Sequence, residues 1–279
     1  MNTTRVHDDE RLAGVYQSGN EMPEESLRDW TRLIGSFAGH RSPAIVEVGA
    51  GTGMFCAAMA RWLDPVTVVG VDPSAAMLDS ARRVNAHPVV RYVAGTAEAL
   101  PVGDGRFDLA LLSRVIHHLP DRARAAREVA RVLRPGGAVV VRTTFRERLD
   151  ALVYHYWPRL RALDEERFPS EAEVVGAFTA AGLTLRTVTS FARPVTSGLR
   201  EYHARMVSRP QSKFLRLTDA EFAAGLRRLA ADARAEPETG PETGPEAGPA
   251  PGLAPGPTRG PVRAPAPVEE RYDVVVLTA

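Results

Sequence analysis

Short apolar runs alternate along the chain with stretches whose apolar positions recur every three or four residues. The runs read as strands and the periodic stretches as helices. Strands are predicted over Ala44–Val48, Val66–Val71, Val89–Ala94, Phe107–Leu112 and Ala138–Thr143, with two more over Leu183–Phe191 and Tyr272–Leu277. Helices are predicted after Gly53, after Ser74 as an N-cap, and from Asp121 as an N-cap. Arg134-Pro135-Gly136-Gly137 stops the last of these and turns the chain into the fifth strand. Strand and helix alternating in this way point to an α/β fold with a parallel sheet.

Three stretches stand outside the alternation. Met22–Phe37 reads as an amphipathic helix ahead of the first strand. Arg146–Glu166 carries a helical apolar stripe of Leu149, Leu152, Val153, Tyr156, Leu160 and Leu163, with Tyr154, His155 and Trp157 beside it and a kink expected at Pro158. Ser197–Arg234 reads as helix broken near Pro210. The last two are expected to cover the open end of the sheet as a lid. Glu236–Pro267 is so rich in Pro and Gly that no packed helix or strand can form, so an inserted loop is expected, with partner binding as the alternative. The division that follows is one domain over 1–279. It has a helical cap over 1–40, a cofactor-binding core over 41–145, and lid plus sixth strand over 146–235. An insertion over 236–268 and a final strand over 271–279 complete it.

With 44% apolar residues the chain can build a substantial core, and no apolar run approaches the ~18–20 residues of a membrane span. Met1–Glu10 shows no apolar signal-peptide region, and a cytoplasmic location is expected. The single cysteine, Cys56, excludes an intrachain disulfide and a Cys-rich metal site, and reads as a small buried residue on a helix. A net charge of +1 gives no electrostatic case for nucleic acid. Of the 35 basic residues all but Lys213 are arginine, which a codon bias toward Arg, Ala, Gly and Pro would produce. Arg122–Arg131 and Arg227–Arg228 fall at helical spacing and read as solvated faces.

Candidate chemistry begins where the first strand ends. Val46-Glu47-Val48-Gly49-Ala50-Gly51-Thr52-Gly53 closes that strand and opens a helix, and its glycines allow a sharp turn and close approach of a ligand. A dinucleotide loop would need glycine at the sixth position, where Met54 stands. Glu47, two residues before the first glycine, is awkward for a pyrophosphate but suits a cation such as the ammonium of a sulfonium amino acid. The second strand runs into Asp72-Pro73-Ser74, and an acceptor carboxylate there can take both ribose hydroxyls of an adenosine. Capping of the next helix is the structural alternative for Asp72.

VEVGAGTG, VVGVDPSAAML, GTAEALP, FDLALLSRVIHHLPD and REVARVLRPGGAVVV, in that order, resemble the class I, Rossmann-like S-adenosylmethionine-dependent methyltransferases of the small-molecule group. The resemblance covers Ala44 to Thr143 strongly and the last two strands weakly. It implies a seven-stranded, mostly parallel sheet with helices on both faces, a final antiparallel hairpin and a helical lid. It further implies that S-adenosylmethionine is the cofactor. Gly49, Gly51 and Gly53 would line its methionine part, with Glu47 beneath the ammonium and Asp72 on the ribose. Pro73, Ser74 and Met77 would pack near the adenine, and Ala97 would offer it a backbone N–H. Ser113 and Arg114 would flank the methionine end, and Tyr16 is the candidate for the carboxylate. Relatives often carry Asp where this chain has Thr96, a weaker acceptor for the adenine amine.

Methyl transfer from a sulfonium is an in-line displacement that needs position, a dry pocket and, for some oxygen or nitrogen acceptors, a base. His117 and His118 follow the fourth strand, at the sheet edge where α/β ligands bind, and are the candidate catalytic residues. His117 is favoured as the base, with His118 packing or orienting. Tyr154, His155, Tyr156 and Trp157, with Phe168, suit an apolar or aromatic substrate, and closing the lid's own core is the alternative. No metal site is expected, and Arg114 argues against the acid-held metal of some quinone-pathway relatives. The expected partners are a small-molecule substrate, no nucleic acid and no membrane, with a homodimer left open. The resulting expectation is methyl transfer to a small molecule, plausibly in secondary metabolism. Two alternatives stand beside it: a cyclase or isomerase using bound cofactor as a fixed charge, and a non-catalytic regulatory module.

Overall fold

A computed structural model of the chain describes residues 21–237 and 266–279. Tyr16 and almost all of the Pro/Gly-rich segment lie outside the described residues. Strands β1 (Ala44–Val48), β2 (Thr67–Asp72), β3 (Val90–Ala94), β4 (Phe107–Ser113), β5 (Leu133–Thr143), β6 (Thr184–Thr196) and β7 (Val268–Thr278) form one sheet in the order β3-β2-β1-β4-β5-β7-β6. The first five run parallel to one another, and β7 runs antiparallel to both β5 and β6. This is the expected seven-stranded sheet with its final antiparallel pair. Strand order reverses between β1 and β4, which opens a crevice at the carboxyl ends of these strands.

The central strands read as continuous apolar runs because both their faces are covered. All five residues of β1 are buried. Helices α1 (Glu24–Gly35), α2 (Met54–Trp62) and α3 (Ala75–Val84) cover one face, where Trp30, Ile34, Phe55, Met59 and Leu78 pack with Ile45, Leu109 and Val140. Helix α4 (Arg122–Val132) covers the other, where Ala125 and Val129 pack with Val46, Ala110 and Val139. Both predicted N-caps are made: Ser74 Oγ accepts from Met77 N at 3.3 Å and Asp121 Oδ1 from Arg124 N at 2.9 Å.

Two local differences from the sequence expectation have clear causes. β5 begins at Leu133, because Leu133 already pairs with Phe107 and Gly136, at φ +80°, turns the chain inside the strand. In the lid, Pro158 separates two short helices, α5 (Val153–Tyr156) and α6 (Arg159–Arg167), with no continuous helix across it. A helix not anticipated, α7 (Glu171–Ala180), joins α4 on its face of the sheet. It starts on a capping box in which Ser170 Oγ accepts from Glu173 N and Glu173 Oε2 from Ser170 N.

The lid is completed by α8 (Leu199–Met206), a 3-10 turn over Ser212–Arg216 and α9 (Asp219–Ala235), all inserted between β6 and β7. The break near Pro210 falls between α8 and that turn. Thr196 still pairs with Val268, whereas β5 stops pairing at Thr143 with Asp273, so the β6–β7 ribbon runs past the sheet and carries the lid. Trp157 is the centre of the lid core. Its ring stacks on Phe222 at 5.6 Å and meets Phe214 edge-on at 4.9 Å, while Nε1 donates to Phe222 O at 3.0 Å. Gly225 leaves the space, since a Cβ there would stand 2.1 Å from Trp157 Nε1. Trp157→Ala is therefore expected to cost about 3–5 kcal/mol of stability, read from the denaturant midpoint. A loss below about 1 kcal/mol would contradict this packing. Among the described residues, no helix is long and apolar enough to cross a membrane.

Candidate cofactor cleft and acceptor cavity

The glycine loop leaves β1 with Gly49 N and Ala50 N donating to Val71 O at 2.8 and 3.0 Å. Gly49 has φ +74°, and a Cβ on it would lie 2.4 Å from Val115 Cγ2. Any side chain there is excluded by backbone conformation and by space. Asp72, at the end of β2, fastens the loop. Its Oδ2 accepts from Gly51 N at 2.8 Å and its Oδ1 from Ser74 N at 2.9 Å. The carboxylate thus caps the turn and stands beside the cleft at the same time.

Between the loop and the ends of β2, β3 and β4 lies a cavity of about 360 Å³, within the size range of small-ligand sites. Gly49, Gly51, Asp72, Pro73, Ser74 and Met77 line one side, and Thr96, Ala97, Ser113 and Arg114 the other. Gly53 stands apart from it: at φ +80° it faces Tyr92, whose hydroxyl fills the place of a Cβ. Glu98, Val115, Leu119 and Pro120, not singled out in the sequence, also line the cavity, and so does His118. Glu98 Oε1 is buried with no hydrogen-bond partner among the described residues.

Glu47 borders a smaller cavity of about 60 Å³ on the other side of the loop, with Gly49, Gly51, Ser113, Arg114 and Arg142. Burial pushes its carboxyl up to about 8, with the Asp72 charge adding and the Cys56 hydrogen bond and Arg142 opposing. Glu47 is therefore mostly protonated at neutral pH. Cys56 Sγ, buried on α2 as expected, donates to Glu47 Oε2 at 2.9 Å. Arg142 on β5 is 2% exposed, with its guanidinium 3.6 Å from the Tyr272 ring centroid and 4.5 Å from that of Trp30. Burial lowers its pKa to about 10, which leaves it charged at neutral pH, and it donates to Ser113 Oγ at 3.1 Å.

A third cavity, about 70 Å³, lies under the lid and shares Arg114 and His118 with the first. Arg114 holds φ +57°, unusual for a residue with a side chain, and its N–H donates to Arg142 O at 2.8 Å. Such backbone strain is concentrated at functional sites. His117 and His118 sit on a 3-10 turn over Ile116–His118. His117 lines only the lid cavity, its ring stacked on Phe168 at 4.2 Å, and its buried Nδ1 has no partner among the described residues. Burial first, then the charges of His118, Arg167, Arg114 and Lys213, push its pKa well below 6.5. The His118 ring accepts from the Arg167 guanidinium.

The four lid residues expected at the substrate part company. Tyr154 lines the lid cavity and donates from its hydroxyl to Asp164 Oδ2 at 2.9 Å. His155 is exposed against the edge of the Tyr156 ring. Tyr156 and Trp157 are buried in the lid core, with Tyr156 Oη donating to Asp232 Oδ2 at 3.0 Å. These three line neither the cleft nor the lid cavity, because helical periodicity reports burial and not what a side chain is buried against. Asp164 and Lys213, paired at 3.4 Å, line the lid cavity and were not anticipated. The available signals were an acid beside the apolar Leu160 and Leu163 and the one lysine of the chain.

A family model described as a methyltransferase domain matches residues 46–141. The chain is 40% identical over 139 residues to an uncharacterized methyltransferase of Mycobacterium tuberculosis, covering 49% of this chain and 52% of that protein. It is 32% identical over 149 residues to a demethylmenaquinone methyltransferase of Roseiflexus castenholzii, covering 53% of this chain and 63% of that one. The chain thus spans about half to three fifths of the length of these relatives. A crystal structure of a candidate methyltransferase from an antibiotic biosynthesis pathway of Anabaena variabilis superposes with a TM-score of 0.59 at 24% identity, covering 73% of this chain and 85% of that one. Glycine loop, Asp72, strand order and family match agree, and the chain carries a class I, Rossmann-like methyltransferase domain.

Proposed function

We propose that the chain binds S-adenosylmethionine in the cleft and transfers its methyl group to a small-molecule acceptor held under the lid. The observation that carries this reading is that cleft and lid cavity meet at Arg114 and His118. The residues present fit the cofactor. Gly49 lines the cleft with bare backbone, protonated Glu47 can give up its proton beside an ammonium, and Glu98 Oε1, without a partner among the described residues, is an acceptor for the adenine amine that Thr96 serves weakly. Asp72 lines the same cleft, where a carboxylate can accept from the ribose hydroxyls.

When bound, the cofactor supplies a methyl group on a sulfonium leaving group. The chain's own residues supply position and proton handling. His117, neutral and with Nδ1 unpartnered in the lid cavity, is the group suited to take a proton from a hydroxyl or amine acceptor. His118 turns its ring to Arg167 and serves orientation. The Roseiflexus relative, named for demethylmenaquinone, supports a small-molecule acceptor. The arginine- and alanine-rich composition and the built-out lid favour secondary metabolism.

Glu47 gives this reading a proton signature. An ammonium placed beside it lowers its pKa from about 8, so at pH 7 binding should release a proton, and affinity should rise with pH until about 8. Calorimetry at pH 7 in two buffers of different ionisation enthalpy reads that proton directly. Equal heats in both buffers would remove Glu47 from the site. The reaction itself is tested with methyl-labelled S-adenosylmethionine and a panel of small phenols, enols, carboxylic acids and amines. Label is expected in an organic product. Cofactor binding with a changed acceptor but no label transferred would favour the fixed-charge alternative, and no binding at all would overturn the reading.

A further inference from the structure

The chain spells 34 of its 35 basic residues as arginine, and its one lysine, Lys213, lines the lid cavity. The two cations differ where they are buried. Arginine is a planar fork that stays charged, whereas lysine is a compact point charge with three rotatable donors. Lys213 stands on the 3-10 turn over Ser212–Arg216, with its side chain 18% exposed. Its Nζ lies 3.4 Å from Asp164 Oδ2 and 5.1 Å from the Tyr154 ring centroid. Asp164 is 1% exposed, and the same Oδ2 already accepts from the Tyr154 hydroxyl at 2.9 Å. One long ion pair to a shared oxygen is the only ion pair Lys213 makes among the described residues, and it leaves donors of the ammonium for a ligand.

The rest of the lining points the same way. Arg114, Arg167 and Arg271 bring three more positive charges to this cavity, against Asp150, Asp164 and Glu270. Asp150 and Arg271 are both exposed, and Glu270 accepts from the Tyr272 hydroxyl. Of the lining charges that are not exposed, Arg114, Arg167 and Lys213 stand against Asp164 and Glu270, so the inner wall carries an excess of positive charge that would attract a small anionic group. Burial holds the Lys213 ammonium below its usual pKa, with Asp164 and Glu270 opposing and Arg114 adding, and an entering anion would reverse that shift.

Resting on the methyltransferase reading, we propose that Lys213 anchors an anionic oxygen of the acceptor, which makes the acceptor class small organic acids: carboxylates or acidic phenols and enols. Asp164 and Tyr154 position the ammonium, and His117 lines the same cavity from the turn over Ile116–His118. Amines and neutral alcohols lack the group that Lys213 holds and are poor acceptors.

Because Lys213 is the only lysine, amine-selective acetylation of the full chain reads this one side chain, and mass spectrometry separates its peptide from the N-terminus. The probes are a set of hydroxybenzoates, each paired with its uncharged hydroxybenzamide. At about ten times its dissociation constant, a bound acid should slow acetylation of Lys213 about tenfold by mass action, while the amide leaves the rate within about twofold. Protection by amide and acid alike, or by none of the acids, overturns the proposal. Lys213→Met should abolish calorimetric binding of the protecting acid and Lys213→Arg should retain part of it. If Lys213→Met fails to fold, the labelling of the unaltered chain still decides. Protection does not require the cofactor. A chain that shows acid-selective protection but binds no S-adenosylmethionine therefore overturns the function and keeps the anchor, and the converse result does the reverse.

Discussion

Asp72→Ala should weaken S-adenosylmethionine binding about ten- to a hundredfold. Removing the carboxylate leaves the ribose hydroxyls without their acceptor, a loss of about 1–3 kcal/mol, and each 1.4 kcal/mol is about tenfold in affinity. The structure adds a second cause. Gly51 N–H and Ser74 N–H both lose their acceptor, so the glycine loop is released from the end of β2. A lower melting temperature should accompany the weaker binding. Asp72→Asn should lose less stability than Asp72→Ala, because its carbonyl oxygen can keep the Ser74 N–H while its amide cannot accept from Gly51. An alanine variant that binds the cofactor as tightly as the unaltered chain would remove Asp72 from the ribose site.

His117→Ala should lower turnover on a hydroxyl acceptor by about a hundredfold or more, with cofactor affinity unchanged. The asymmetry follows from placement, because His117 lines the lid cavity and not the cofactor cleft. Its pH behaviour is also set by its surroundings. A base works when unprotonated, and burial together with His118, Arg167, Arg114 and Lys213 keeps this imidazole neutral to well below pH 6.5. Sequence alone would place an acid limb near the ordinary histidine value. The buried site moves that limb lower, so turnover should hold across pH 6.5 and fall only in more acidic solution. A variant with near-full turnover and an unshifted profile would mean that positioning alone drives the reaction.

The sheet was legible because its strands are apolar runs bounded by Gly, Pro and Asp, and burial on both faces leaves no competing period. The crevice proposed for the cofactor was legible for the same reason: the ends of β1, β2 and β4 are fixed by the sheet, so Gly49, Asp72, Ser113 and Arg114 line one cavity once the strand order is known. Gly53 shows where spacing misleads. It shares the glycine pattern but serves the packing of Tyr92. The lid was legible as helix and not as wall. Tyr154 and Trp157 stand three apart beside the predicted apolar stripe, yet one meets the cavity and the other α9. No periodicity separates a helix that faces a ligand from one that faces another helix. Helix α7 was missed although Ser170 and Glu173 carry its capping signal.

The cleft between the glycine loop and Arg114 is the proposed S-adenosylmethionine site. Calorimetric titration of the unaltered chain with S-adenosylmethionine tests it most directly. The predicted result is one molecule bound per chain, displaced by S-adenosylhomocysteine, with a proton released at pH 7 and the affinity cut by Asp72→Ala. A folded chain that gives no binding heat in any buffer, and no displacement by S-adenosylhomocysteine, would contradict it.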